Sequence, residues 1–336
     1  MSFTTRSGRA RILLAACLVA AFTAPAAAYL KLGFRAGSRI VNAQWDERPV
    51  RYFVTNRGDN GVTAPQFQQA MARAFATWQD DPRVDISFSF VGFTGAEPFD
   101  DDGMNVIGFQ AEPDLERVLG ATGFTIDNVT GRILESDIFF NTIFDWTVAP
   151  NGESGRFDLE STAVHEIGHM IGLGHSAIGE TELTDGRRRV IAKQAVMFPI
   201  AFPTGSISDR ALKADDIAGA ADIYPEGNFD RTHGSISGRV LLGGRGIFGA
   251  HVTAYSLRNN TIVGNFTLSQ DGSFVISGLE PGLYVVRVEP LDDGDLGSFF
   301  DDDDDVEVGF KAMIAPRLVS VPRGGSSGDI TIEVSR

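Results

Sequence analysis

Apolar positions recur along the chain with two different periods, and the period changes near residue 230. Between residues 64 and 79, Phe67, Met71, Phe75 and Trp78 fall at steps of four and three, which predicts an amphipathic helix resting an aromatic stripe on a sheet. Residues 50–54, 84–91, 106–109 and 133–140 read as the strands of that sheet, with Trp45 just ahead of the first. A second helix is expected from Leu159, because Asp158 suits an N-cap and Ala163, Val164, Ile167, Met170 and Ile171 supply buried faces. Residues 182–191 read as a hairpin turning at Asp185-Gly186. Past a short linker at 227–233 the texture becomes short alternating strands punctuated by glycine, at 234–240, 249–254, 270–276 and 278–286. The pattern predicts an α+β domain over residues 29–226 followed by an all-β sandwich over 234–336.

The first 28 residues belong to neither unit. Arg6, Arg9 and Arg11 form a basic start, residues 12–22 an apolar run, and Ala26-Ala27-Ala28 a small-residue cleavage site before Tyr29. That is an export signal, and it predicts a secreted, extracellular or periplasmic protein; a lipoprotein anchor at Cys17 is the minor alternative. Cys17 is the one cysteine, so cleavage before Tyr29 leaves a chain without disulfides, which a core of this size tolerates. The formal charge is −15, and loss of three arginines with no acids takes it to about −18. Nucleic acid and anionic membrane surfaces are thereby disfavoured as partners, and no later segment is apolar enough to span a bilayer. A monomer is expected.

One segment carries chemistry. His165-Glu166-Ile167-Gly168-His169-Met170-Ile171-Gly172-Leu173-Gly174-His175 reads HExxHxxGxxH and uses three of the chain's five histidines. His165 and His169 stand one helical turn apart on one face and can share a metal ion. Gly172 lets the chain leave the helix so that His175 arrives from a new direction as a third ligand. Three imidazoles with an open fourth position suit one catalytic Zn²⁺, since structural zinc is closed by four protein ligands. Glu166, beside them, is placed to act as general base.

The motif resembles that of the metzincin metallopeptidases, and Ser176 after the third histidine points to their matrixin branch. The resemblance implies a methionine floor beneath the metal, for which Ala195-Val196-Met197-Phe198-Pro199 provides Met197. Asp215-Asp216-Ile217-Ala218-Gly219 resembles the closing helix of that family, and residues 131–141 its strand ahead of the zinc helix. Leu119-Gly120-Ala121-Thr122 resembles the edge that binds an extended peptide, which implies Gly120, Ala121 and Thr122 as substrate contacts. Phe198 and Pro199, with Ile200, are expected to wall an apolar pocket for the residue after the cut. Two features depart from the family: there is no prodomain cysteine to restrain the metal, and the run from His175 to Met197 is long. Residues 234–336 are similar to carboxypeptidase regulatory-like domains, which share a transthyretin-like sandwich.

These implications converge on a secreted zinc endopeptidase acting on protein or peptide substrates. An exported binding or adhesion protein with a non-catalytic metallopeptidase scaffold is the alternative, and a zinc amidase is a third. The acid runs at 100–102 and 301–305 read as solvated loops, with Ca²⁺ as the sharper possibility. Arg187, Arg188 and Arg189 on the hairpin read as solvated or as a preference for acidic substrates. His233 and His251 lie outside the motif, and His251, in a predicted strand, is expected to be a packed or exposed residue rather than a ligand.

Overall fold

The fold is described from a computed structural model over residues 9–14, 31–36, 39–59, 61–184, 187–301 and 304–336. The rest of the expected export signal, including Cys17, and the Asp185-Gly186 turn lie outside the described residues. In chain order, β1 (Arg9–Leu14) and the ribbon of β2 (Gly33–Ala36) and β3 (Arg39–Asn42) precede β4 (Val50–Thr55) and α1 (Ala64–Gln79). Then come β5 (Phe88–Thr94), β6 (Val106–Gln110), β7 (Gly120–Asp127) and β8 (Ile133–Asn141). Six of these strands make one sheet in the order β1-β7-β8-β6-β4-β5, with β4, β5, β6 and β8 parallel and β7 antiparallel to β8.

The helix α1 forms where the periodicity places it. Thr63 caps it in a reciprocal pair with Gln66, and a proline stands in the first turn, where its missing N–H costs nothing. Phe67, Met71, Phe75 and Trp78, with Ala70 and Ala74, are buried against the sheet. There the Phe75 ring stacks on Tyr52 at 4.1 Å, and Phe67 meets Phe109 in a tilted pair at 4.5 Å. Each such aromatic contributes about 1.5–3 kcal/mol by leaving water.

The strand expected at 84–91 starts instead at Phe88. Residues 83–85 are drawn away by the chain that follows residue 223: Asp85 donates its N–H to the Tyr224 carbonyl at 2.8 Å, and Glu226 to Arg83 at 3.0 Å. Val84 therefore bridges Pro225 rather than joining the sheet. The short strands β9 (Trp146–Thr147) and β10 (Phe157–Asp158) lead into α2 (Leu159–Met170), which is followed by the hairpin β11 (Gly179–Thr184) and β12 (Arg187–Lys193) and by α3 (Ala214–Ile223). The stretch read as linker folds into a turn of helix, α4 (Phe229–Thr232), because Phe229 is buried in the first core.

Nine further strands follow: β13 (Gly234–Leu242), β14 (Arg245–Gly246), β15 (His251–Ser256), β16 (Ile262–Phe266), β17 (Ser273–Leu279), β18 (Gly282–Glu289), β19 (Met313–Ile314), β20 (Val319–Val321) and β21 (Ser326–Val334). They form two sheets, one of β14, β13, β17 and β21, the other of β16, β15, β18, β19 and β20. Inward residues of both, among them Ile236, Val240, Phe274, Val252 and Val286, share one apolar cluster. Ala218 of α3 belongs to that same cluster, so the two halves of the chain are packed together. None of the helices among the described residues is long and apolar enough to cross a membrane.

Candidate active site

The helix α2 carries the first half of the motif and is held at both ends. Asp158 accepts the Ser161 N–H at 2.9 Å as the N-cap, and the Arg210 guanidinium grips the same carboxylate through both oxygens. The Trp78 indole donates to the Val164 carbonyl and the Trp45 indole to that of Met170, each at 2.9 Å. The second of these carbonyls is in the last turn, where no helical N–H is available. Gly172 ends the helix at φ +97°, and a Cβ there would lie 2.4 Å from the Ala43 carbonyl, so both the backbone sign and the close approach require glycine. The chain thus doubles back and delivers His175 to the other two imidazoles.

The three rings converge. Their centroids are 4.8 Å (His165–His169), 4.8 Å (His169–His175) and 5.4 Å (His165–His175) apart, and one nitrogen from each lies within 4.8 Å of the others. Each Nδ1 faces a backbone carbonyl: Val196 for His165 at 2.8 Å, Leu173 for His169 at 2.9 Å and Ser298 for His175 at 2.7 Å. A carbonyl only accepts, so Nδ1 carries the proton and Nε2 presents a lone pair. The Nε2 atoms of His169 and His175 are buried and have no protein partner. Burial holds His165 well below the usual imidazole range, with the other two rings adding to the effect, and lowers His169 to about 3 and His175 to about 4. Neutral imidazoles aiming orphaned lone pairs at one point fit a divalent metal of zinc's preference. Among the described residues this is the group of three or more His, Cys, Asp or Glu whose donors converge closely enough to share an ion.

Glu166 is buried at 3% exposure, and the Thr122 hydroxyl is 2.8 Å from its carboxylate and 2.9 Å from its carbonyl. Burial pushes the carboxyl up to about 7, opposed by the Thr122 hydroxyl. Gly120 is glycine for want of room: a Cβ would meet the Phe139 carbonyl at 2.8 Å and Glu166 Cγ at 3.4 Å. Met197 lies under α2, with its sulfur where a side chain on Gly168 would sit. The turn carrying it is pinned by Asp216, which accepts the N–H groups of Val196 at 2.9 Å and Met197 at 3.1 Å.

A cleft of about 580 Å³ runs past His165 and Glu166, lined by Gly120, Phe198, Pro199, Ile200 and Phe202 and, on its far rim, by Leu183 and Arg188 of the hairpin. Of the expected substrate contacts, Gly120, Phe198 and Pro199 line it. Thr122 is spent on Glu166, and Ala121 turns away into a cluster with Val118 and Phe139. The position beside β7 is occupied by β1, paired from Leu14–Thr122 to Arg9–Asp127, so β7 is the outer strand only without that segment. Arg188 is engaged by Asp295 at 3.5 Å and Arg189 by Glu182 at 2.8 Å, while the side chain of Arg187 is outside the described residues. His251 is buried against Glu289 at 3.3 Å. Sequence reasoning missed the buried Lys193–Asp209 pair (2.6 Å) in the cleft and the carbonyl of Ser298, neither of which has a motif.

The family model described as Matrixin matches residues 44–225, more than half of the chain. This chain is a matrixin. Matrixins are zinc enzymes, in keeping with the donor set above. The chain is similar to Metalloendoproteinase 5-MMP of Arabidopsis thaliana, at 38% identity over 54% of this chain and 45% of that protein. It is also similar to Metalloendoproteinase 1 of Glycine max, at 30% identity over 47% of this chain and 45% of that one. Matrix metalloproteinase-16 of Homo sapiens is 28% identical over 41% of this chain and 22% of its own length. This matrixin therefore spans less than half the length of the relatives it matches.

Proposed function

We propose that this matrixin is an exported zinc-dependent endopeptidase, with His165, His169 and His175 holding the metal and Glu166 as general base. The observation that carries the reading is the convergence of three neutral imidazoles, two with orphaned Nε2 atoms, beside a buried carboxylate on the wall of a cleft. Zinc, when bound, supplies Lewis acidity, polarising a carbonyl oxygen and acidifying water. The protein's own groups do the rest. The cleft, apolar at Phe198, Pro199 and Ile200, seats an apolar side chain of the substrate and aligns its scissile bond over His165 and Glu166. Glu166 takes the proton of the attacking water at its carboxylate and returns it to the departing amine nitrogen. Thr122, donating to the same carboxylate, favours its ionised form against the burial that raises its pKa.

In this reading residues 1–28 are the export signal, and their removal frees β7 to pair with an extended substrate. Residues 234–336 are a carboxypeptidase regulatory-like, transthyretin-like domain. The test is metal content and cleavage in the same preparation. The chain from Tyr29 onward is expected to hold about one zinc and to cleave an unfolded protein; Glu166→Gln is expected to keep the zinc and lose 10²- to 10⁴-fold or more in kcat. A zinc-free wild type, or undiminished cleavage by Glu166→Gln, would overturn it.

A further inference from the structure

We infer that the third imidazole of the metal site is positioned from the loop between β18 and β19: the Ser298 carbonyl fixes the tautomer and ring orientation of His175, which makes residues 291–300 part of the active site. The inference rests on the reading of His175 as a metal ligand. His165 and His169 find their Nδ1 acceptors inside the matrixin segment, at Val196 and Leu173. His175 finds its acceptor 123 residues further on, across the packed halves of the chain, at 2.7 Å. Ligating histidines are held by such outer partners, which set which nitrogen faces the metal.

The loop is built to hold that carbonyl still. Its 3₁₀ turn is closed by the Ser298 N–H on Asp295 and by the Phe299 and Phe300 N–H groups on Leu296, each at 2.9 Å. Phe299, 2% exposed, packs between the His175 ring at 6.2 Å and the Phe266 ring at 5.6 Å. Ala177, two residues beyond His175, lies in the same apolar cluster as Leu291, Phe299 and Phe300. Gly294 has no space for a Cβ, which would meet Phe299 at 2.6 Å. On the other side the loop is fastened to the hairpin after His175, where Thr181 donates its N–H to Asp293 at 2.6 Å and its hydroxyl to the Asp293 carbonyl at 2.9 Å. Asp295 and Ser298 also line the cleft, so the loop closes the wall it supports.

Backbone chemistry isolates the carbonyl in the full chain. Replacing the Ser298–Phe299 amide by an ester weakens the Ser298 acceptor and deletes the Phe299 N–H bond to Leu296. An ester at Phe299–Phe300 deletes the matching bond to the same Leu296 carbonyl but leaves the Ser298 acceptor intact. Zinc affinity is read by competition with a chromogenic chelator, and ligand geometry by the visible spectrum of the cobalt-loaded protein. The first ester is expected to bind zinc about tenfold more weakly, with an altered cobalt spectrum, and the second to match wild type. Phe299→Ala is expected to lose 10- to 100-fold and Phe299→Leu to recover most of it. Equal zinc affinity and cobalt spectra for the two esters would overturn the inference and leave the peptidase reading standing. A wild type that takes up no zinc would remove both.

Discussion

Thr122→Val removes the hydroxyl between β7 and Glu166 while keeping the branched shape at that site. The hydroxyl is 2.8 Å from a carboxylate that is 3% exposed, so the bond is charge-assisted and solvent cannot replace it. A hydrogen bond to a charged group is worth about 1.5–3 kcal/mol, which at 1.36 kcal/mol per pH unit is a displacement of about 1–2 units. The sign follows from which form is favoured. Donation by Thr122 stabilises ionised Glu166 against the burial that pushes it up to about 7, so its loss drives the pKa higher still. The acid limb of the pH profile of kcat/KM is therefore expected to move about 1–2 units alkaline in Thr122→Val. Well below both limbs, the variant is then about 10- to 100-fold slower, and its plateau at high pH approaches that of wild type. Stopped-flow or fluorogenic peptide cleavage from pH 5 to 9 provides the measurement. An unmoved acid limb with a uniformly lowered plateau would refute the reasoning, showing that Thr122 only packs.

Two further outcomes follow from the surroundings of the site. Asp216→Ala strands the N–H groups of Val196, Met197 and Lys213, the last at 2.8 Å, and at about 1–3 kcal/mol per unpaired donor it is expected to cost about 3 kcal/mol or more in urea unfolding; wild-type stability would show that the turn stands without it. Burial pushes Asp137 up to about 7 from an ordinary 3.8, opposed by the Val106 and Phe99 N–H groups and reinforced by Glu135 and Asp102. The native state then holds the extra proton, so this contribution to stability is full below the unfolded pKa and gone above about pH 7, a difference of about 4 kcal/mol. Unfolding free energies at pH 4 and 8 are expected to differ less in Asp137→Asn than in wild type, and equal differences would refute the assignment.

What could be read from the sequence is what lies close together in it. The α1 stripe, the Asp158 cap and the HExxHxxGxxH run are local patterns, and each is found where the spacing places it. The strand at 84–91 was misplaced because its competitor for backbone hydrogen bonds, the chain around Tyr224, is about 140 residues away. Residues 227–233 looked like a linker because one buried side chain, Phe229, has no periodicity to announce it. Ser298 was invisible for a deeper reason. What it offers the site is a peptide carbonyl, which every residue has, and only the packing of the two halves selects this one. Thr122 was legible as part of a strand but not as the partner of Glu166, since β7 and α2 meet through the sheet.

The chain just ahead of the matrixin segment clasps the far end of α2. Leu32 donates its N–H to the Gly172 carbonyl at 2.8 Å, Lys31 bridges Leu173, and the Lys31 ammonium pairs with Asp222 on α3. These contacts clasp the bend that carries His175, yet they come only two and three residues after Tyr29. A cut that removed Lys31 takes the Leu173 bridge and the Asp222 ion pair with it, and one that removed Leu32 also strands the Gly172 carbonyl. If the export signal proposed at residues 1–28 is removed, the position of the cut relative to these two residues sets how firmly that bend is latched.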